Sequence, residues 1–178
     1  MKAKDILTAL EEALADRLRD SEIRTRTVGV RSPRTIEEVW GRIDREVLLK
    51  AVQTLKDLGP LHISIISGRD LGEEIELLYH FTVGFGTEDG EVLVTLRLTV
   101  PKSDPVVPSL RGVLPGAQTT EREKIEFLGV EFSGIPDSRH LFLPEDMEVH
   151  PWRVDEPELE KFVKRKVKWE ERDGEQNL

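Results

Sequence analysis

The chain has 178 residues, the length of one domain with room for an extension, and enough to bury a core without disulfide or metal support. Its 35 acidic and 26 basic residues give a formal charge of −9, which argues against general nucleic-acid binding by phosphate neutralisation. Cysteine is absent, and this excludes a disulfide framework, a cysteine nucleophile, thiolate-ligated zinc and any iron–sulfur cluster held by the chain's own thiolates.

Apolar residues at 38% and charged residues at 34% describe a globular chain with a heavily charged surface. No apolar run approaches the roughly 20 residues that cross a bilayer. Met1 to Asp5 leads into Glu11-Glu12 rather than into an apolar signal core. A soluble intracellular chain is therefore the expectation. Glutamate outnumbers aspartate 23 to 12, a bias seen in heat-adapted proteins.

In chain order, residues 5–19 place Ile6, Leu7, Leu10, Leu14 and Leu18 on one helical face, with Asp5 as N-cap. Ser21 to Val30 reads as a strand ending before Ser32-Pro33, and Glu37–Ile43 as a second, short one. Asp44 is the expected cap of a helix running to Leu58 and stopped by Gly59-Pro60. Three strands follow, centred on Leu61–Ile65, Ile75–Val83 and Val92–Val100, the last two forming an antiparallel hairpin around Thr87-Glu88-Asp89-Gly90. This order predicts an α+β fold: a mostly antiparallel sheet of about five strands with two helices on one face.

After Pro101 the chain is punctuated by Pro105, Pro108, Pro115 and Gly116. Thr120 and Glu123 have capping-box spacing, predicting a short helix over Glu121–Leu128 that stops at Gly129. An extended, Pro-rich path follows. Asp155 and Glu158 are placed to cap a final helix with Leu159, Phe162, Val163 and Val167 on one face. The organisation expected is an α+β domain over 1–112, a helix–loop segment over 113–150 packed on or beside it, and an extension over 151–178 that docks on a partner.

Little in the chain points to catalysis. Histidines 62, 80, 140 and 150 show no zinc-ligand spacing. Gly84-Phe85-Gly86 lies between strands, where a hairpin loop fits better than a phosphate cradle. The carboxylates fall mostly on solvent faces, and no pair stands out as acid and base. The basic stretch at 164–168 suits a solvated helix, a partner or anionic lipid.

Residues 121–144 are richer in information. Glu121, Arg122 and Glu123 open a short helix that ends at Gly129; Val130 and Phe132 follow, then a Gly134-x-Pro136-Asp137 turn and the basic pair Arg139-His140. Arg139 can make planar bidentate contacts with carboxylates, which suits a polar contact surface. On local physics alone, a partner-facing loop and a loop that only shapes this domain are both open readings.

This segment resembles the signature of the C subunit of NADH:quinone oxidoreductase (respiratory complex I), a family shared with subunits of membrane-bound nickel–iron hydrogenases and related sulfur-reducing complexes. Glu121, Arg122, Glu123, Glu126, Phe127, Leu128, Gly129, Val130, Phe132, Gly134, Pro136, Asp137, Arg139 and Pro144 fall on the family pattern at its spacing, and Val107-Pro108-Ser109-Leu110 is similar to its approach. Ile135 stands where quinone-linked members carry His, His140 where they carry a second Arg, and Gln118-Thr119-Thr120 where a Trp is usual. These departures look like the hydrogenase-type branch.

The resemblance implies a non-catalytic peripheral-arm subunit of a membrane-bound, ion-translocating oxidoreductase complex, of hydrogenase or sulfane-reductase type. It implies no catalytic, cofactor or metal site in this chain, with iron–sulfur clusters and a nickel–iron site in partners. Those partners are a large D-type subunit, a small cluster-bearing subunit and membrane-arm subunits, at the cytoplasmic face of the membrane. Glu121, Arg122, Glu123, Phe132, Pro136, Asp137, Arg139 and His140 are the partner-binding residues so implied. The alternatives are the C subunit of an NADH- or ferredoxin-linked quinone oxidoreductase, and a stand-alone metal- or carboxylate-dependent hydrolase.

Overall fold

The computed structural model describes residues 2–88, 90–144 and 147–156. The first helix, α1 (Ala3–Leu14), buries Ala3, Ile6, Leu10 and Leu14 at three- and four-residue spacing. Asp5 lies in its first turn instead of at the cap, and its carboxylate accepts the Lys2 backbone N–H at 3.1 Å.

A 3₁₀ turn leads into β1 (Leu18–Val28), which pairs antiparallel with β2 (Arg34–Ile43) in a register running from Leu18 opposite Ile43 to Val28 opposite Arg34. Both strands start three residues earlier than the sequence suggests. Most of the extra residues are charged or polar, and this hairpin relies on cross-strand pairs where apolar alternation is weak. Arg26 thus meets Glu38 at 2.8 Å. Charge along this sheet edge also discourages pairing with another chain.

A second 3₁₀ turn (Arg45–Val47) precedes α2 (Leu48–Leu58), which buries Leu48, Ala51, Val52 and Leu55. The Asp44 side chain makes no capping hydrogen bond. Its carboxylate is held by Arg17 at 3.0 Å and by Arg19, tying the turn after α1 and the start of β1 to the end of β2.

The remaining long strands are β3 (Leu61–Asp70), β4 (Glu74–Val83) and β5 (Val92–Pro101). The spatial order is β1-β2-β5-β4-β3, with β2–β5 parallel and the other three pairings antiparallel. The chain crosses from β2 through α2 to the far edge, and two hairpins then bring β5 back beside β2. The fold is α+β, as predicted.

Short pieces follow: β6 (Val106–Pro108), two 3₁₀ turns, the helix α3 (Gln118–Leu128) and β7 (Glu131–Ser133), which pairs parallel to β6. Helix α3 begins at Gln118, three residues before the predicted start, because the turn opened by Pro115 feeds directly into it. Thr120 is therefore not a cap. Its Oγ1 accepts the Ile66 backbone N–H of edge strand β3 at 2.9 Å.

Leu128 of α3 rests against Gly68, where a Cβ would come within 2.5 Å of Leu128 Cδ1 and 3.2 Å of Leu77 Cδ2. That contact puts α3 on the face of the sheet that carries Ile75, Leu77, Tyr79, Phe81 and Val83, the same face as α1 and α2. Among the described residues this face thus carries α3 beside the two helices expected on it. One apolar cluster runs from Ala3 through the sheet to Leu110, Leu128 and Phe132. The final helix expected after Asp155 lies outside the described residues.

Thr120→Val keeps the shape of the side chain but removes the acceptor for the Ile66 N–H. Chemical denaturation of the variant is expected to show a loss of about 1–3 kcal/mol.

Candidate functional site

The signature segment is built around α3, and its charged residues divide into anchors and surface groups. Glu121 is fully buried. One carboxylate oxygen accepts the Leu110 backbone N–H and the other the Ser109 hydroxyl, both at 2.6 Å. Burial raises its pKa, while these two bonds pull the other way. Phe132, on β7, is 4% exposed. Neither side chain is presented to a partner; both hold the 105–110 segment and α3 together from inside.

Arg122 comes next on the helix. Its Nε and Nη2 donate to the Arg139 carbonyl at 3.1 and 2.6 Å, and Nη2 also reaches the His140 carbonyl at 3.2 Å. Its Nη1 lies 3.9 Å from the Asp137 carboxylate. Asp137 accepts Nε and Nη2 of Arg139, each at 2.9 Å, and the Arg139 backbone N–H at 3.1 Å. The Arg139 side chain, its backbone N–H and the nearby Arg122 charge hold the Asp137 carboxyl well below the usual range. Arg139 itself is 78% exposed, so this fork lies on the outside. His140 donates Nδ1–H to the Pro144 carbonyl at 2.8 Å, and Pro136 is exposed beside the fork. Glu123, half-buried, meets Lys124 Nζ at 2.5 Å. Five of the eight residues singled out from sequence, Arg122, Pro136, Asp137, Arg139 and His140, thus lie together, whereas Glu123 lines a groove with Ile65, Thr120 and Phe142. Ile135, half-buried, packs on the core.

Several residues outside that set fix the loop. Glu126 is 1% exposed, and its carboxylate accepts the Phe142 and Leu143 backbone N–H groups. The C-terminus of α3 is closed by a distant segment. Nδ1–H of His150 donates to the Glu126 carbonyl at 2.9 Å, the Trp152 N–H to Phe127 at 2.9 Å, and Arg153 to Leu128 at 2.7 Å and Gly129 at 3.2 Å. Helix ends leave such carbonyls without intrahelical partners, and here the 150–153 segment supplies the donors. The Trp152 ring stacks on Phe127 at 4.5 Å, and the buried Lys124 ammonium lies 4.8 Å from the same indole. Farther along, Lys102 bridges Asp70 at 2.6 Å and Asp155 at 2.7 Å, and Asp70 accepts the Val154 N–H at 2.8 Å. Residues 151–156, expected to reach a partner, are thus tied to this chain. The only sequence signal for this strap is the concentration of His, Trp and Arg at 150–153.

Among the described residues no three His, Asp or Glu side chains converge in a way that could hold a metal ion. No described helix is long and apolar enough to cross a membrane.

The buried anchors make the stability of this segment sensitive to pH and to substitution. A carboxyl whose pKa is raised on folding contributes stability fully present below its unfolded value and lost as the pH rises through its folded value. Glu121→Gln can keep both hydrogen bonds without the charge, so its stability relative to the parent chain is expected to rise from about pH 4 to 8 in denaturant titrations. Glu121→Ala leaves the Leu110 N–H unpaired and is expected to lose about 1–3 kcal/mol. Gly129 sits at φ 66°, with His150 and Arg153 atoms 2.5–2.6 Å from where a Cβ would stand. Gly129→Ala is expected to cost about 1–2 kcal/mol from backbone strain alone. It should also speed hydrogen exchange at the Trp152 amide, as the strap is pushed away.

Residues 42–161 match the family described as the respiratory-chain NADH dehydrogenase 30 kDa subunit. The chain is 36% identical to the beta subunit of the membrane-bound hydrogenase of Pyrococcus furiosus over 123 residues, covering 67% of this chain and 70% of that one. It is 30% identical to the C subunit of the NADH-quinone oxidoreductase of Streptomyces coelicolor over 127 residues, 67% of this chain but only 49% of the relative. Among solved structures, its fold is similar to a chain of the membrane-bound sulfane sulfur reductase, an archaeal respiratory membrane complex (TM-score 0.69, 21% identity, 91% and 89% coverage). It is also similar to a trypsin-resistant fragment of Nqo5 (TM-score 0.56, 24% identity, 76% and 99% coverage). With two thirds of its length inside the family match and these sequence relatives beside it, the chain belongs to the family of the 30 kDa subunit of respiratory-chain NADH dehydrogenase.

Proposed function

We propose that this chain is a non-catalytic peripheral-arm subunit of a membrane-bound, ion-translocating oxidoreductase complex of the hydrogenase or sulfur-reductase type, held against the large subunit through the turn at 136–140. The observation that carries the reading is the exposed Asp137–Arg139 fork, backed by Arg122 and set on a loop whose backbone is pinned by Glu126. A guanidinium already oriented by a carboxylate loses little freedom when a second acidic group approaches it, so the fork is pre-organised for a polar interface. Glu121 and Phe132 serve this surface from within. Arg122, Pro136, Asp137, Arg139 and His140 form it, with Glu123 on the adjoining groove.

The relative named as a hydrogenase subunit is matched over more of its length than the quinone-linked one, which supports the hydrogenase-type branch. On this reading the iron–sulfur clusters and any nickel–iron site belong to partner chains, and the subunit sits at the cytoplasmic face of the membrane through the complex. The 1–112 sheet domain is the platform and the 113–150 segment the contact element.

Affinity purification of the tagged chain from its own cells is expected to recover an iron-containing assembly with the large subunit. Arg139→Lys, which keeps the charge but loses the planar fork, is expected to reduce that recovery while leaving the fold intact by circular dichroism. Recovery of an iron-free monomer alone would overturn the proposal.

A further inference from the structure

Several of the exposed large apolar side chains, though not Val30, Leu49 or Phe85, fall between edge strand β3, the loop after α3 and the 150–155 strap. Ile65 on edge strand β3 is 44% exposed, Phe142 64%, Trp152 42%, Val154 76% and Leu71 46%. A shared groove, the Phe127 ring and the Asp70 carboxylate connect them indirectly. Ile65 and Phe142 line one groove of about 240 Å³ between β3 and the start of α3. The Phe142 ring lies 6.3 Å from Phe127, which stacks on Trp152. Val154 is held by Asp70, the neighbour of Leu71.

This stripe is also rigid. The Phe142 backbone is clamped by the buried Glu126, and the strap carrying Trp152 and Val154 is fixed at both ends. Fixed, contiguous apolar groups of this kind mark interaction surfaces. Its far end is acidic: Glu73, Glu74 and Asp155 are all exposed there, whereas Lys102 is 12% exposed and is taken up by bridges to Asp70 and Asp155.

We infer that the stripe from Ile65 through Phe142 and Trp152 to Val154 is a second docking surface. It takes a partner chain that presents a row of apolar side chains ending in lysine or arginine. The apolar row would fill the groove beside Phe142, and the basic end would meet Glu73, Glu74 and Asp155. This inference rests on the chain being a subunit of a complex, and it adds a contact separate from the Asp137–Arg139 fork. Apolar anchors at the centre supply the affinity, and the charged end sets orientation and association rate.

The test is assembly in the native complex. Phe142→Asp and Trp152→Ser alter exposed side chains, and thermal melts establish that each variant is folded. Each is expected to weaken recovery of the large partner at least about tenfold, and Glu73→Gln with Glu74→Gln to reduce the salt dependence of assembly. Unchanged recovery with folded Phe142→Asp, in a preparation where the parent chain does assemble, overturns the stripe and leaves the proposed function standing. Failure of the parent chain to assemble overturns both. Sedimentation that shows a dimer of the parent chain, lost in Phe142→Asp, would assign the stripe to self-association and overturn the partner stated here.

Discussion

The arrangement of this molecule depends on how the C-terminal end of α3 is closed. Four carbonyls, from Glu126 to Gly129, point out of the helix into a partly buried region, and each must find a donor or cost free energy comparable to a lost hydrogen bond. Chain remote in sequence supplies them: the His150 ring, the Trp152 amide and the Arg153 guanidinium. Because the strap closes the helix, α3 is fixed at its last turn as well as by Thr120 and Glu121 at its first. The turn at 136–140 inherits its position from both ends.

The acids of the signature look alike in sequence but do different work. Glu121 and Glu126 are buried and accept backbone N–H groups, which fixes where chain segments cross. Glu123 and Asp137 lie at the surface, paired with cations. Helical geometry places 121, 124 and 128 toward the core at three- and four-residue spacing. Glu126 shares the face of Arg122 and Glu123 and is buried because the 142–143 backbone closes over its carboxylate. A net charge of −9 therefore overstates the acidity available to solvent near this segment.

Much of the architecture was legible in the sequence because apolar alternation is loud. The β4 and β5 strands, their hairpin and the buried faces of α1 and α2 could be read directly from residues such as Ile75, Leu77, Tyr79, Val94 and Leu96. The early parts of β1 and β2 could not, since charged and polar positions leave no periodic trace. Asp44 and Thr120 misled for a common reason. Each has the chemistry of a helix cap, but a tertiary partner nearby, two arginines in one case and the edge of β3 in the other, claims the side chain. The surface part of the candidate site, Arg122 with Asp137 to His140, was visible through the family pattern. The strap behind it was silent, because donors from 150–153 meet carbonyls of 126–129 only once the chain has folded.

The single parallel pairing among the long strands, β2 with β5, has a consequence for how the chain reaches this fold. The β1–β2 hairpin and the β3–β4–β5 meander each close through short turns, so their contacts form cheaply. Joining them requires Val39 to meet Val94 across the intervening α2 and two hairpins. Non-local pairings of this kind slow folding, and they form after local ones have reduced the freedom of the chain. The pairing of β2 with β5 is the step that joins the two halves into one sheet. Helix α3 rests on the meander alone, through Ile66, Gly68 and Leu77, so its floor does not depend on that union.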